Sequence, residues 1–219
     1  MKRVIINADD FGYSNSINSG ILEAINNGVV SSTSVMVYGA AVKETEVLKN
    51  MKNISIGLHL HIDNPNADFE KGIIKQIGLF IELLGRHPDH IDIHKPRSLN
   101  LENIIPILEK YSAAHKIPVR ELGHTKSIKQ FFGIDVTENK ETSSSRVSVS
   151  SLINVLENLD DGDSEIMTHA GYSSDELRSL SSYNDMREIE LQTLTDQRVK
   201  DYIANRSDLK LITWKEVVV

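Results

Sequence analysis

The stretch RVIINADDFG, residues 3–12, sets the apolar run Val4-Ile5-Ile6 directly ahead of two neighbouring acids, Asp9 and Asp10. Adjacent carboxylates repel each other and disfavour strand structure, so a strand that ends in them calls for a cation or a proton. A polar turn capping the next helix is the structural alternative, since Asp and Asn favour such places. Outward from this stretch, short β-rich runs alternate with helix-period segments. Strands are expected at Arg3–Ala8, Thr33–Tyr38, Ile54–His61, His90–His94, Ile117–Glu121, Glu165–His169 and Leu209–Thr213. Between them, Ile17, Ile21 and Ile25 recur at helical spacing before Gly28, and Phe69, Ile73, Ile77, Phe80 and Leu84 form a stripe that stops at Gly85. Leu101–Ala114, Val147–Leu159 and Arg187–Ile203 supply further helices. Such alternation predicts a parallel sheet with crossover helices. The strand count fits an incomplete (β/α) barrel or an open doubly wound sheet. No GxGxxG follows the first strand, which leaves a dinucleotide fold without support.

A chain of 219 residues suits one α/β domain of barrel type over residues 1–219. The polar, Ser/Thr-rich stretch 133–149 reads as a mobile surface loop rather than a boundary. A formal charge of −7 with no Lys/Arg cluster argues against a nucleic-acid partner. No apolar run approaches the roughly 18 residues of a membrane span, and the short run before Asp9 is no signal peptide. Cysteine is absent, which removes disulfides, thiolate ligands and a thiol nucleophile, and fits a cytoplasmic location. An isologous homodimer is the default expectation for a soluble oligomer.

The titratable residues collect at strand ends. Asp9 and Asp10 end the first, His59 and His61 the third, Asp92 and His94 the fourth, Arg120 and Glu121 the fifth, and His169 the sixth. In a parallel barrel these C-terminal ends share one face, where the active site is built. Side chains two apart in a strand share a side, so His59 pairs with His61 and Asp92 with His94. An imidazole from each of two strands plus a carboxylate from the first makes an open His, His, Asp set suited to one catalytic divalent ion, zinc or magnesium. His61 reads as a substrate group or as plain polar lining. Arg120 reads as a charge for substrate, an orienter of Asp9 or a salt bridge. Tyr172 and Tyr183 could each offer a ring face to a ligand or simply pack. His87, His115 and His124 read as surface residues, and His90 as the exposed start of a strand.

NADDFG, GLHLH at 57–61, HIDIHKP at 90–96, THAGY at 168–172 and SSYNDMRE at 181–188 resemble the YdjC-like carbohydrate deacetylase family, in order and from Val4 to about Trp214. The resemblance implies a distorted (β/α) barrel, a divalent metal and hydrolysis of N-acetyl groups on sugars such as chito-oligosaccharides. Carried over by motif, Asp10, His59 and His94 are the metal ligands, Asp9 the general base and His169 the general acid. His61, Arg120 and Tyr172 are the candidate substrate-binding residues beside this set, and SSYNDMRE reads as scaffold for the His169 loop. His61 stands where the family usually carries an Asn-type residue, and the link from Ile62 to Asp68 is shorter than the family's. Lys95-Pro96-Arg97 follows His94 where the family tends to carry further histidines. The other readings are a metal hydrolase of phosphoesterase type, disfavoured by the scarcity of Lys and Arg near the acids, and a non-catalytic sugar-binding barrel. A pure binder, however, needs no base and acid pair.

Overall fold

The computed structural model describes residues 1–62, 68–134 and 142–219. The first strand, β1 (Lys2–Phe11), is the centre of the sheet. Its residues Val4, Ile5, Ile6, Ala8 and Phe11 are all fully buried, as expected of a parallel strand covered on both faces. Among the described residues six more strands follow: β2 (Ser32–Val35), β3 (Ser55–Leu60), β4 (Ile91–Ile93), β5 (Lys126–Ile128), β6 (Gly162–Thr168) and β7 (Leu209–Leu211). Every pairing between them is parallel, in the order β4-β3-β2-β1-β6-β5. One edge of β1 pairs with β6, while the other is divided between β7 along Lys2–Val4 and β2 along Asn7–Phe11.

The helices are α1 (Asn15–Asn27), α2 (Phe69–Leu84), α3 (Ile105–His115), α4 (Val149–Glu157), α5 (Asp175–Leu180), α6 (Asp185–Thr195) and α7 (Gln197–Ala204). Ser14 caps α1 by accepting from Ile17 N, and Ile17, Ile21 and Ala24 face the core. Asp68 caps α2 in the same way, and Gly85 ends it in the left-handed conformation (φ 71°) that glycine adopts without strain. No helix among the described residues is long and apolar enough to cross a membrane.

The expected incomplete barrel forms, with one strand displaced. Ile117–Glu121 is not a strand. Val119 makes a single parallel bridge to Ile91, Arg120–Leu122 turn in a 3-10 helix, and Gly123 (φ 74°) redirects the chain to β5, which pairs with β6. Residues 119–126 therefore span the opening between β4 and β5. Arg187–Ile203 is two helices, because Asp196 leaves helical geometry and caps α7 through Arg198 N. His90 is not exposed. It is fully buried and stacks on Trp214 with ring centroids 4.8 Å apart. Gly57 makes the room, since a Cβ there would fall 2.3 Å from the imidazole. In the polar stretch 133–149, Ser144–Val147 form a 3-10 turn with Val147 buried. Residues 135–141 of that stretch, and 63–67 in the link after His61, lie outside the described residues.

Candidate active site

A regular strand would send Asp9 and Asp10 to opposite faces. Here β1 bulges. Ala8 pairs with Thr33 but Phe11 with Val35, so β1 uses one residue more than β2 between those points. Asp10 absorbs the extra residue with a left-handed backbone (φ 75°), a conformation Asp tolerates better than most residues. The bulge brings both acids to one imidazole. Asp10 Oδ1 lies 3.2 Å from His59 Nε2, and Asp9 Oδ2 lies 4.0 Å from His59 Nδ1.

His59 comes from β3, and His94 directly follows β4, its backbone N donating to Leu60 O. His94 Nδ1 lies 3.2 Å from Asp10 Oδ1 and 3.1 Å from His59 Nε2. Three donor atoms thus form a near-equilateral triangle, the spacing expected of ligands that share an ion at about 2.0–2.2 Å. Asp10 Oδ1 is buried and has no well-formed hydrogen bond among the described residues, with only the two imidazole nitrogens close to it. Asp92, opposite His59 in the β3–β4 register, places Oδ1 2.6 Å from His59 Nδ1. A carboxylate only accepts, so Nδ1 carries the hydrogen and Nε2 presents its lone pair to the triangle, as an oriented metal-binding imidazole requires. Burial and the neighbouring charges compete here. Burial would raise Asp10, but Arg187 and the imidazoles outweigh it and hold the carboxyl well below its usual range. Burial would lower His59, but Asp92 and Asp9 outweigh it and push the imidazole well above its usual range. Ligation needs Nε2 free of hydrogen, so a cation bound there would compete with a second proton on His59.

Beside the triangle, Arg120 reaches in from the turn after Val119. Its Nη1 and Nη2 donate to Asp9 Oδ2 and Oδ1 at 2.9 and 2.8 Å. Nε and Nη2 donate to Glu165 Oε1 at 2.9 and 2.7 Å, and Nη2 also lies 2.9 Å from Asp92 Oδ2. Asn7 Nδ2 adds a bond of 2.6 Å to Asp9 Oδ1. Arg120, expected to face substrate or orient Asp9, thus has its guanidinium occupied by three carboxylates. Asp9, Asp10, Asp92 and Glu165 oppose Arg120 and Arg187, all buried, so four formal negative charges face two positive ones.

The β1–β6 register pairs Ala8 with Thr168, which sets His169 beside Asp9. His169 Nδ1 is buried with no hydrogen-bond partner, and Phe132 and Tyr183 flank the ring at 5.2 and 5.4 Å. Burial pulls this imidazole down to about 4, so it is neutral near pH 7. Its backbone N donates to Glu190 Oε2 at 2.6 Å, and Tyr183 OH donates to the other oxygen of Glu190. Tyr183 is therefore a packing and bonding residue. His61 stands edge-on to His94 at 5.3 Å, its backbone pinned by Gln76 in both directions. Tyr172 lies further along the His169 loop, 41% exposed, with its N donating to Ser16 O.

Sequence reasoning missed Arg187, Glu190 and Glu165, and saw Asp92 only as the neighbour of His94. Glu165 carried a signal, since it shares strand parity with His169. Arg187 was read only as part of the scaffold motif SSYNDMRE and not as a partner of Asp10, and Glu190 carried no signal, because both arrive through helix packing.

The YdjC-like protein family model matches residues 3–69 and 63–205. A carbohydrate deacetylase from Clostridium beijerinckii is 30% identical over 98% of this chain and 100% of its own length. A chitooligosaccharide deacetylase from Proteus mirabilis is 26% identical, over 98% of each. Among solved structures, a putative cellobiose-phosphate cleavage protein from Enterococcus faecalis superposes with a TM-score of 0.76 at 24% identity, covering 100% of this chain and 99% of that one.

Proposed function

The chain belongs to the YdjC-like family, and on that premise we propose that it is a metal-dependent deacetylase hydrolysing N-acetyl groups on sugars of the chito-oligosaccharide or N-acetylglucosamine class. The observation that carries this reading is the Asp10, His59, His94 triangle with its unsatisfied Asp10 Oδ1. These three residues would hold the ion, and two nitrogens with one oxygen suit zinc or a neighbouring transition metal better than magnesium. When bound there, such an ion would supply Lewis-acid polarisation of the acetyl carbonyl and lower the pKa of water.

The chain's own residues move the protons. Asp9, fixed by Arg120 and Asn7, accepts a proton from the attacking water. His169 delivers a proton to the nitrogen as the C–N bond breaks, which the amine needs in order to leave. Its low pKa makes the imidazolium a strong acid for that step, but it also means the free enzyme holds His169 neutral, so the proton must be gained during turnover. Water is consumed, and acetate and the free amine are released. The phosphoesterase alternative gains no support, since both buried arginines are committed to carboxylates. Acetate release from mono-, di- and trimeric N-acetylglucosamine, with several metals and a chelator control, tests the reading. Chelator-resistant acetate release, or turnover of chromogenic phosphoesters alone, would refute it.

A further inference from the structure

Two arginines are buried at the site, and the mechanism above uses only one. Arg120 grips Asp9. Arg187, from the first turn of α6, donates through Nη2 to Asp10 Oδ2 at 2.6 Å. We propose that Arg187 is a positioning residue that restricts Asp10 to a single ligand oxygen and holds it in register with the His169 loop. The inference rests on the metal reading above.

The need arises in the backbone. Asp10 sits on a bulge with φ 75°, so the pleat of β1 does not set the direction of its side chain. A carboxylate freed there could turn either oxygen, or both, toward the imidazoles. Arg187 removes that choice by occupying Oδ2, which leaves Oδ1 facing His59 Nε2 and His94 Nδ1 at 3.2 Å each. Arg187 is itself rigid. Its side chain is 5% exposed, Nε donates to Tyr183 O at 2.9 Å, and the guanidinium lies 5.8 Å over the Tyr183 ring.

The same residue also reaches the catalytic loop. Arg187 O accepts from Gly171 N at 3.3 Å, two residues past His169. Three residues further along α6, Glu190 accepts from the backbone N of His169. Positions i and i+3 share a helix face, so one face of α6 holds both Asp10 and the His169 loop. A lysine at 187 would keep the charge but lose the fork that bonds Tyr183 O and Asp10 together.

The test uses metal-free protein and zinc alone, with dissociation constants from chelator competition and apo melting temperatures measured alongside. Arg187→Met is expected to weaken zinc binding about 10–100-fold, the usual cost of losing a residue that orients a ligand. Arg187→Lys should fall between Arg187→Met and wild type. Removing Arg187 alone leaves a buried carboxylate unpaired and could unfold the protein, so Asp10→Asn and the double variant Asp10→Asn/Arg187→Met are compared as well. If Arg187 acts through Asp10, the double variant binds zinc about as weakly as Asp10→Asn. Wild-type affinity in Arg187→Met, or an equal further loss in the Asp10→Asn background, overturns the role of Arg187. Failure of the wild-type protein to bind zinc overturns the metal reading itself.

Discussion

Asp9 Oδ1 accepts from both Asn7 and Arg120, whereas Oδ2 accepts from Arg120 Nη1 alone. Oδ2 therefore keeps a lone pair for an incoming proton, and it is also the oxygen nearer His59. Asp10 differs, with one oxygen held by Arg187 and the other bare. Asp9→Asn should leave metal affinity almost unchanged and lower kcat by roughly 10²–10⁴, with KM little moved. Asp10→Asn should weaken metal binding instead. Metal titration and steady-state kinetics on both variants decide the matter, and the opposite pattern exchanges the two roles. At this scale the sequence was informative where chemistry coincides with strand ends. His59 and His94 needed only local alternation, and His169 only its place at a strand end, whereas Asp9 and Asp10 share one side only through the bulge in β1. Arg187 stands 177 residues from Asp10 and shows nothing of that bond in its neighbours.

At the scale of elements, the bulge in β1 was not legible, because it exists only as a register shift against β2. The strand β5 was missed for a related reason. It is three residues long, Lys126 and Ser127 are exposed, and it has no alternation to read. The helix α6 was legible as a helix but not as an organiser, since its service depends on what it packs against. Burial raises Glu190 on that helix from 4.5 to about 7, so folding favours its protonated form. Its contribution to stability is complete below about pH 4.5 and is lost as pH rises through about 7. Burial places Glu121 higher still, at about 8, with the same sign. His169 has the opposite sign. Burial favours its neutral form, so that contribution is present above pH 6.5 and is lost as pH falls through about 4. Glu190→Gln removes the titration while keeping an acceptor for His169 N. Its melting temperature should therefore decline less than that of wild type between pH 5 and pH 7. Parallel declines in thermal melts of the two proteins would show that Glu190 does not titrate in this window.

At the scale of the whole molecule, the barrel was legible in the alternation of strand and helix, while its opening was not, because residues 119–126 cross it instead of continuing a strand. The excess of buried negative charge now bears on global stability. Carboxylates outnumber guanidiniums four to two among these buried groups, an excess of acid that a bound divalent ion would offset. The three proposed ligands come from β1, the end of β3 and the residue after β4, and an ion bridging them would tie the mouth of the barrel across the width of β2. Because the unfolded chain lacks this triangle, binding free energy appears as folding free energy. At a free zinc concentration of 100 times Kd it amounts to about 2.7 kcal/mol. For a chain of this size that corresponds to a rise in Tm of about 5–10 °C. Chelator should remove the rise and added zinc restore it, at constant ionic strength so that screening of surface charge plays no part. His59→Ala and His94→Ala should fold and show almost no zinc-dependent shift, since each removes one corner of the triangle. A full shift in either variant, measured by thermal melts with and without zinc, would remove that histidine from the ligand set.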